Sequence, residues 1–261
     1  MRTRTLITWN INGIRARQEH LHQWLVHHSP DVVCLQETKI EDEKFPRDAI
    51  AEAGYHCAFA GQKAYNGVAI LARQPIEEVS IGFAGDNSEE QKRLIAATID
   101  GVRVVNAYIP NGQALDSPKF PEKLAFLAKF RDYFEAHHDP AQPLVLVGDF
   151  NIAADARDVY SVEAMTGQIH FSDQEHEALE RLRAWGFVDV FRKFVSEGGH
   201  YSWWDFRQAA FRRNMGLRID HIWATQPLAE RFVECWIARE ERAKEKPSDH
   251  VPVVGEFTAL F

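Results

Sequence analysis

The chain has 261 residues, which at roughly 150 residues per domain admits one large domain or two small ones and leaves length for a sizeable core. Hydrophobic residues at 45% and charged residues at 26% exclude a disordered, collagen-like or coiled-coil chain. With 30 Lys and Arg against 38 Asp and Glu the formal net charge is −8, so the surface as a whole does not attract polyanions and any nucleic-acid contact has to be local.

The opening Met1-Arg2-Thr3-Arg4-Thr5-Leu6-Ile7 meets polar Asn10 too soon for a signal-peptide apolar region, and no apolar run reaches the roughly 18 residues of a spanning helix. A cytoplasmic location is expected. Thr5–Asn10 is predicted as a strand, and Leu21, Trp24, Leu25 and His28 fall at helical spacing before Ser29-Pro30 closes the turn. Val32–Gln36 is short and apolar enough for a buried strand, and its Cys34 is one of three cysteines. With Cys57 and Cys235 it makes an odd set without a CxxC, which provides neither a disulfide framework nor a sulfur-ligated zinc site. A short helix is expected near Pro46, then strands at Tyr55–Ala60 and Val68–Ala72. Leu94–Ile99 and Val102–Ile109 flank Asp100-Gly101, a hairpin signal that makes this pair antiparallel.

Ser117 as N-cap and Pro118 at the first helical position open a helix with a stripe of Leu124, Leu127, Arg131 and Phe134. Leu144–Val147 reads as another buried strand. Ser172 and Glu175 have capping-box spacing, Leu179 and Leu182 point inward and Gly186 suits a helix end, so a helix is predicted over 173–185. Strands at Leu217–Ala224 and Val251–Phe257 close the chain. No linker, repeat or low-complexity tract interrupts the series, which predicts a single domain over residues 1–261. Hairpins mixed with helices predict a layered α/β sandwich rather than a purely parallel doubly wound sheet.

Five short polar clusters sit at the ends of these apolar strands. Asn10 and Asn12, and Asp149 and Asn151, lie two residues apart, a spacing that an extended strand places on one face. Glu37 ends a buried strand, Asp220 lies in an otherwise apolar one, and Asp249-His250 precedes Val251. Each cluster alone can be read as a turn or a cap. Together they point to one shared cation site, because carboxylates at the ends of buried strands are costly unless paired. Hard oxygens with a single imidazole favour Mg²⁺, with Mn²⁺ as a substitute, over zinc. There are 12 histidines but no HExxH, and His20, His22, His27, His28, His137 and His138 read as solvated. Arg207, Arg212, Arg213 and Arg218, opposed only by Asp205, form either a solvated face or a local phosphate contact.

Trp9-Asn10-Ile11-Asn12-Gly13-Ile14-Arg15-Ala16, Leu35-Gln36-Glu37-Thr38-Lys39, Asn106-Ala107-Tyr108-Ile109-Pro110-Asn111-Gly112, Gly148-Asp149-Phe150-Asn151-Ile152, Gly216-Leu217-Arg218-Ile219-Asp220 and Pro247-Ser248-Asp249-His250 resemble the motifs of exonuclease III-type AP endonucleases, in the endonuclease/exonuclease/phosphatase superfamily. The resemblance runs in order from residue 5 to residue 257. It implies a four-layered α/β sandwich, with two mixed, mainly antiparallel sheets packed face to face between helices. It also implies a Mg²⁺-dependent phosphodiester hydrolase acting on double-stranded DNA at damaged sites, nicks and 3′ ends. By the same match Glu37 is the principal metal ligand, with Asn10, Asp249, Asp149, Asn151 and His250 around the metal. Asp149 activates or positions water, Asn151 orients it and Tyr108 donates to a phosphate oxygen. His250 hydrogen-bonds the scissile phosphate and is oriented by Asp220.

Trp203, Leu217 and Ile219 are implied to surround an apolar pocket for a sugar turned out of the helix, whereas alternation sends Trp204 into the core. Asn12, Arg15, Lys39, Arg207, Arg212 and Arg213 join the DNA-facing set. One position departs from the pattern. His170 stands where the resembling sequences mostly carry a small residue, and it either narrows the pocket against an internal abasic nucleotide or is a surface residue without effect. Two other readings stay open: a superfamily hydrolase acting on a different phosphate ester, and a DNA-end-binding module without turnover. Monomeric action is the default, since no apolar stripe demands a partner.

Overall fold

The computed structural model describes residues 3–83, 85 and 91–259; Met1 and Arg2 of the opening segment weighed above as a leader lie outside them. The chain runs β1 (Thr3–Asn10), α1 (Gln18–Gln23), β2 (Val32–Gln36), α2 (Arg47–Glu52), β3 (His56–Ala60), β4 (Val68–Ala72), β5 (Glu77–Ile81), β6 (Leu94–Ile99), β7 (Val102–Tyr108), α3 (Lys119–His137) and β8 (Leu144–Asp149). It continues through α4 (Val162–Met165), α5 (Asp173–Arg183), β9 (Phe187–Asp189), α6 (Val190–Phe194), β10 (Asp220–Thr225), α7 (Gln226–Ala229), β11 (Phe232–Ile237) and β12 (Val253–Thr258).

Two six-stranded sheets form, ordered β11-β12-β1-β2-β4-β3 and β5-β6-β7-β8-β10-β9. Within each sheet one strand pair is parallel, β1 with β2 and β7 with β8, and the remaining pairs are antiparallel. Leu6, Val32, Ile70, Val104, Val145, Val147 and Ile222 fill the space between the sheets. Leu21, Trp24, Leu25 and Ile50 cover the outer face of the first sheet, and Leu127, Phe130, Phe134, Leu179 and Leu182 that of the second. The four-layered sandwich is therefore observed. Asp100 and Gly101 both adopt positive φ, 48° and 74°, the backbone that a two-residue hairpin turn requires, and Ile99 pairs Val102 directly across it.

Several boundaries differ from expectation. The helix expected from Leu21 to His28 is a short α1 that widens into a looser turn over Trp24–His28. Helix α3 begins one residue later than expected, with Ser117 Oγ accepting from the Lys119 amide at 3.2 Å. Its buried stripe is Phe120, Lys123, Leu127, Phe130 and Phe134, because a lysine occupies a position that the apolar pattern passes over. The Ser172–Glu175 capping box forms, and α5 ends at Arg183, ahead of Gly186. Leu217 lies outside β10 and bridges Val159 and Trp203 instead. Strands β5, β9 and β11 lack the apolar runs that mark the others; in β11 the register shifts between Phe232 and Glu234. His138 is half-buried against Tyr133 and Phe134 rather than solvated.

Candidate active site

The two parallel pairs place the carboxyl ends of β1, β2, β7 and β8 at one end of the sandwich, where Asn10 faces Gln36 and Tyr108 faces Asp149 in register. Antiparallel β10 enters from the opposite direction, which sets Asp220 beside Asp149. Asn10 Nδ2 spans the sheets, donating to Glu37 Oε1 at 2.9 Å and to Asp149 Oδ2 at 2.8 Å. Beneath it Gln36 Nε2 donates to Asn106 Oδ1 at 2.7 Å and to Thr8 Oγ1 at 2.9 Å, while Asn106 Nδ2 donates to the Leu35 and Ala69 carbonyls. This buried amide pair, which sequence reasoning missed, fixes the spacing of the two sheets under the site.

The asparagine pairing arises differently from the expected extended strand. Asn12 and Asn151 have φ of 46° and 52°, so each strand turns after Asn10 or Asp149. In both turns the first side chain accepts from the backbone amide two residues on, Asn10 Oδ1 from Asn12 N at 3.0 Å and Asp149 Oδ1 from Asn151 N at 2.9 Å. The same local device is thus used once in each sheet.

Glu37 pairs with Lys39, Nζ to Oε2 at 2.6 Å, and Lys39 also donates to Asn12 Oδ1 at 2.6 Å. Burial alone would raise the Glu37 carboxyl; Lys39 and the Asn10 amide outweigh it and hold it below its ordinary value. Asp249 accepts from Asn12 Nδ2 at 2.8 Å and from Trp203 Nε1 at 3.0 Å, linking the carboxylate cluster to the expected sugar pocket. Tyr108 lies under the Arg93 guanidinium, 4.6 Å from ring centroid to carbon. Burial, with Glu37 and Asp149 nearby, pushes its phenol far up, so it remains a neutral donor.

His250 Nδ1 is 2.8 Å from Asp220 Oδ2, and its Nε2 is 3.7 Å from Asp149 Oδ2. Burial alone would lower this imidazole, but Asp220 and Asp149 raise it to about 10. Burial pushes Asp149 up to about 7 against the opposing pull of His250. Asp149, Asp220 and His250 offer ligand atoms within 4.8 Å of one another. With Nδ1 hydrogen-bonded to Asp220, however, the imidazole is built to hold a proton between two carboxylates. Glu37, Asp149 and Asp249, with the neighbouring amides, are the hard-oxygen groups that could hold a cation here. Ser202 Oγ, also missed, donates to Asp220 Oδ2 at 2.6 Å. Asn151 spends part of its amide on the loop, accepting from Asn111 Nδ2 at 3.1 Å and donating to the Ile109 carbonyl at 3.0 Å; one donor and one lone pair remain.

Trp203, Leu217, Ile219 and Phe171 pack together beside this centre, and Trp204 is fully buried behind them as alternation predicts. His170 is buried, not a surface residue: its Nδ1 meets the Asn151 carbonyl at 2.6 Å and its ring centroid lies 6.4 Å from that of Trp203. Burial and Lys123 lower this imidazole to about 4. Arg15, Arg207, Arg212 and Arg213 are exposed, with Arg207 held by Asp205. Arg218 leaves the expected basic face altogether; it is fully buried and bonded to Asp158 and Asp189. A cavity of about 160 Å³ lined by Leu6, Val32, Ile99, Val104 and Val145 together with Arg4, Asp31, Gln74 and Asp100 lies at the other end of the sandwich from the carboxylate centre.

The endonuclease/exonuclease/phosphatase family model matches residues 7–250. Exodeoxyribonuclease III of Haemophilus influenzae is 40% identical over 263 aligned residues, which cover 96% of this chain and 98% of the relative. Among solved structures, an AP endonuclease from Archaeoglobus fulgidus superposes with a TM-score of 0.94 at 38% identity, covering 97% of this chain and 99% of its own. The 3′-phosphatase NExo from Neisseria, bound to a product DNA hairpin, gives 0.94 at 40% identity with 98% and 99% covered. With the carboxylates, the imidazole and the apolar pocket held at one end of this sandwich, the chain belongs to the endonuclease/exonuclease/phosphatase family, in its exonuclease III-type branch of hydrolytic nucleases.

Proposed function

We propose that the chain is a Mg²⁺-dependent DNA-repair phosphodiesterase that clears blocked 3′ ends of double-stranded DNA, removing 3′ phosphates and terminal nucleotides in preference to cutting at internal abasic sites. The donor chemistry fits Mg²⁺ with Mn²⁺ as a substitute. Glu37 and Asp249 offer carboxylate oxygens, Asn10 and Asp149 lie alongside, and no described cysteine or second histidine joins them. Mg²⁺ held there would supply positive charge to the phosphate.

The side chains serve an in-line displacement in which the bond from water to phosphorus forms as the bond to the DNA 3′ oxygen breaks, that oxygen leaving to take a proton from solvent. Asp149, raised by burial to about 7, is suited to accept the proton of an attacking water, which Asn151 orients with its free amide valences. His250, kept protonated by Asp220, donates Nε2–H to the developing charge on phosphate, and the neutral Tyr108 phenol donates a further hydrogen bond. Trp203, Leu217 and Ile219 receive the terminal sugar, while Arg15, Arg207, Arg212 and Arg213 meet backbone phosphates. Lys39 contributes through Glu37 and Asn12. Residues 1–261 act as one domain and as a monomer in a reducing cytoplasm, in keeping with free Cys34, Cys57 and Cys235.

The preference for 3′ ends rests on one observation, the buried His170 ring standing beside Trp203 at the pocket. The test compares duplexes carrying a 3′ phosphate at a nick or an internal abasic site, each in Mg²⁺ and in chelator. Removal of the phosphate alone is expected, with incision of the abasic duplex gained in His170→Gly and both reactions lost in Asp149→Asn. Equal processing of both duplexes by the parent refutes the preference. Turnover in chelator or by Asp149→Asn refutes the mechanism.

A further inference from the structure

We infer that Lys123 and Glu175 form a buried positioning pair, which holds His170 as its Nδ1–H tautomer at the sugar pocket and thereby sets the preference for 3′ termini. The inference rests on the proposed function and adds residues that lie outside every strand-end motif. Both side chains are fully buried. An ion pair in such a place costs more in desolvation than hydrophobic residues of the same volume would, so its geometry needs a reason beyond stability.

That geometry converges on three loops. Lys123 Nζ donates to Glu175 Oε1 at 2.5 Å, to the Asn151 carbonyl at 2.7 Å and to the Asn111 carbonyl at 3.1 Å, which uses all three of its protons. Glu175 Oε1 also accepts from the His170 amide at 3.0 Å, and Oε2 accepts from Ser172 N and Oγ at 3.1 and 2.7 Å. The pair therefore ties the loop after β7, the turn after β8 and the segment leading into α5 to a single point. Gly112 packs against the Lys123 stem, where an added Cβ would lie 3.1 Å from Cδ.

His170 is held at both ends by this arrangement. Its backbone adopts the left-handed region, φ 74°, with its amide on Glu175. Its Nδ1 meets the carbonyl that also accepts from Lys123. A carbonyl can only accept, so Nδ1 carries the proton and Nε2 of the neutral ring is left as an acceptor. Without the ammonium the Asn151 carbonyl loses a donor, the turn at φ 52° loosens, and the imidazole is free to rotate out of the pocket.

The decisive measurement is the pair of imidazole ¹⁵N shifts of His170 in the whole protein at neutral pH, assigned by their disappearance in His170→Gln. Protonated Nδ1 is expected, and an Nε2–H ring overturns the inference without any variant having to fold. The second arm is the double substitution Lys123→Met with Glu175→Gln, which leaves no charge unpaired. In it the ratio of kcat/KM for 3′-phosphate removal to that for abasic incision is expected to fall by about tenfold or more, a loss of the size seen when the group that orients a metal ligand is removed. On a His170→Gly background the same double substitution should leave the ratio unchanged. An unaltered ratio in the first case, or an equal fall in the second, shows the pair to be merely structural. Equal processing of both duplexes by the parent defeats the proposed preference for 3′ ends and this inference with it, whereas an Nε2–H ring in a selective parent defeats the pair alone.

Discussion

Replacing Asp220 by Asn tests the charge arrangement at the centre of the site. The carboxylate lies 2.8 Å from His250 Nδ1 inside the sandwich, with both groups buried. The rise of His250 from 6.5 to about 10 corresponds to something on the order of 5 kcal/mol at about 1.4 kcal/mol per tenfold, shared between Asp220 and the more distant Asp149. Removing the closer partner should therefore cost about 3 kcal/mol or more in the metal-free protein. Because the folded state raises this imidazole, the stabilisation is fully present below its unfolded value near pH 6.5. It declines as pH rises and is gone above about 10. Thermal melts of parent and Asp220→Asn in chelator should thus differ most near pH 6 and converge near pH 10. In Mg²⁺ the alkaline limb of the parent's rate profile should move to lower pH in the variant, with kcat reduced by about 10²-fold or more. A melting difference that is the same at both pH values would show that the imidazole is not charged in the folded protein, and would refute the argument.

Three further outcomes follow from other parts of the structure. Gly148→Ala should abolish folding or displace β8 from β7, since φ is 147° and the new Cβ would sit 1.8 Å from the Ala107 carbonyl oxygen; a soluble variant with the parent's melting temperature would contradict this. Asp158→Asn should cost about 3–5 kcal/mol near neutral pH, because it strips buried Arg218 of one of its two carboxylates. Burial would raise the Asp158 carboxyl, but Arg218 holds it far below its ordinary value, so its contribution is present above about pH 4 and is lost as pH falls. The gap in urea midpoints should therefore narrow in acid. Replacing Arg207, Arg212 and Arg213 together by Ala should raise KM for duplex DNA and flatten its dependence on salt by about one logarithmic slope unit per lost phosphate contact. Their side chains touch none of the buried centre, so kcat should hold; a change in kcat with an unchanged salt slope would remove them from the DNA-facing surface.

The alternation of strands and helices, the Asp100-Gly101 hairpin, the Ser172 capping box and the polar clusters carrying Asn10, Glu37, Asp149, Asp220 and His250 are all legible in the sequence, whereas Tyr108 stood out only through the family resemblance. Each is legible because its signal is local: a turn needs a backbone that few residues adopt, and a carboxylate at the end of an apolar run stands out among its neighbours. Long-range packing is what brings Asn12 and Asn151 to their sites through left-handed turns, takes Arg218 off the surface and stands His170 beside Trp203. It alone brought together Gln36 with Asn106, Ser202 with Asp220 and Lys123 with Glu175. In each of these pairs a polar side chain is buried because its partner arrives from a distant part of the chain, and burial without that partner would be prohibitive. Local pattern records which residues dislike water, but the partner that makes a buried charge tolerable is chosen by how the two sheets meet.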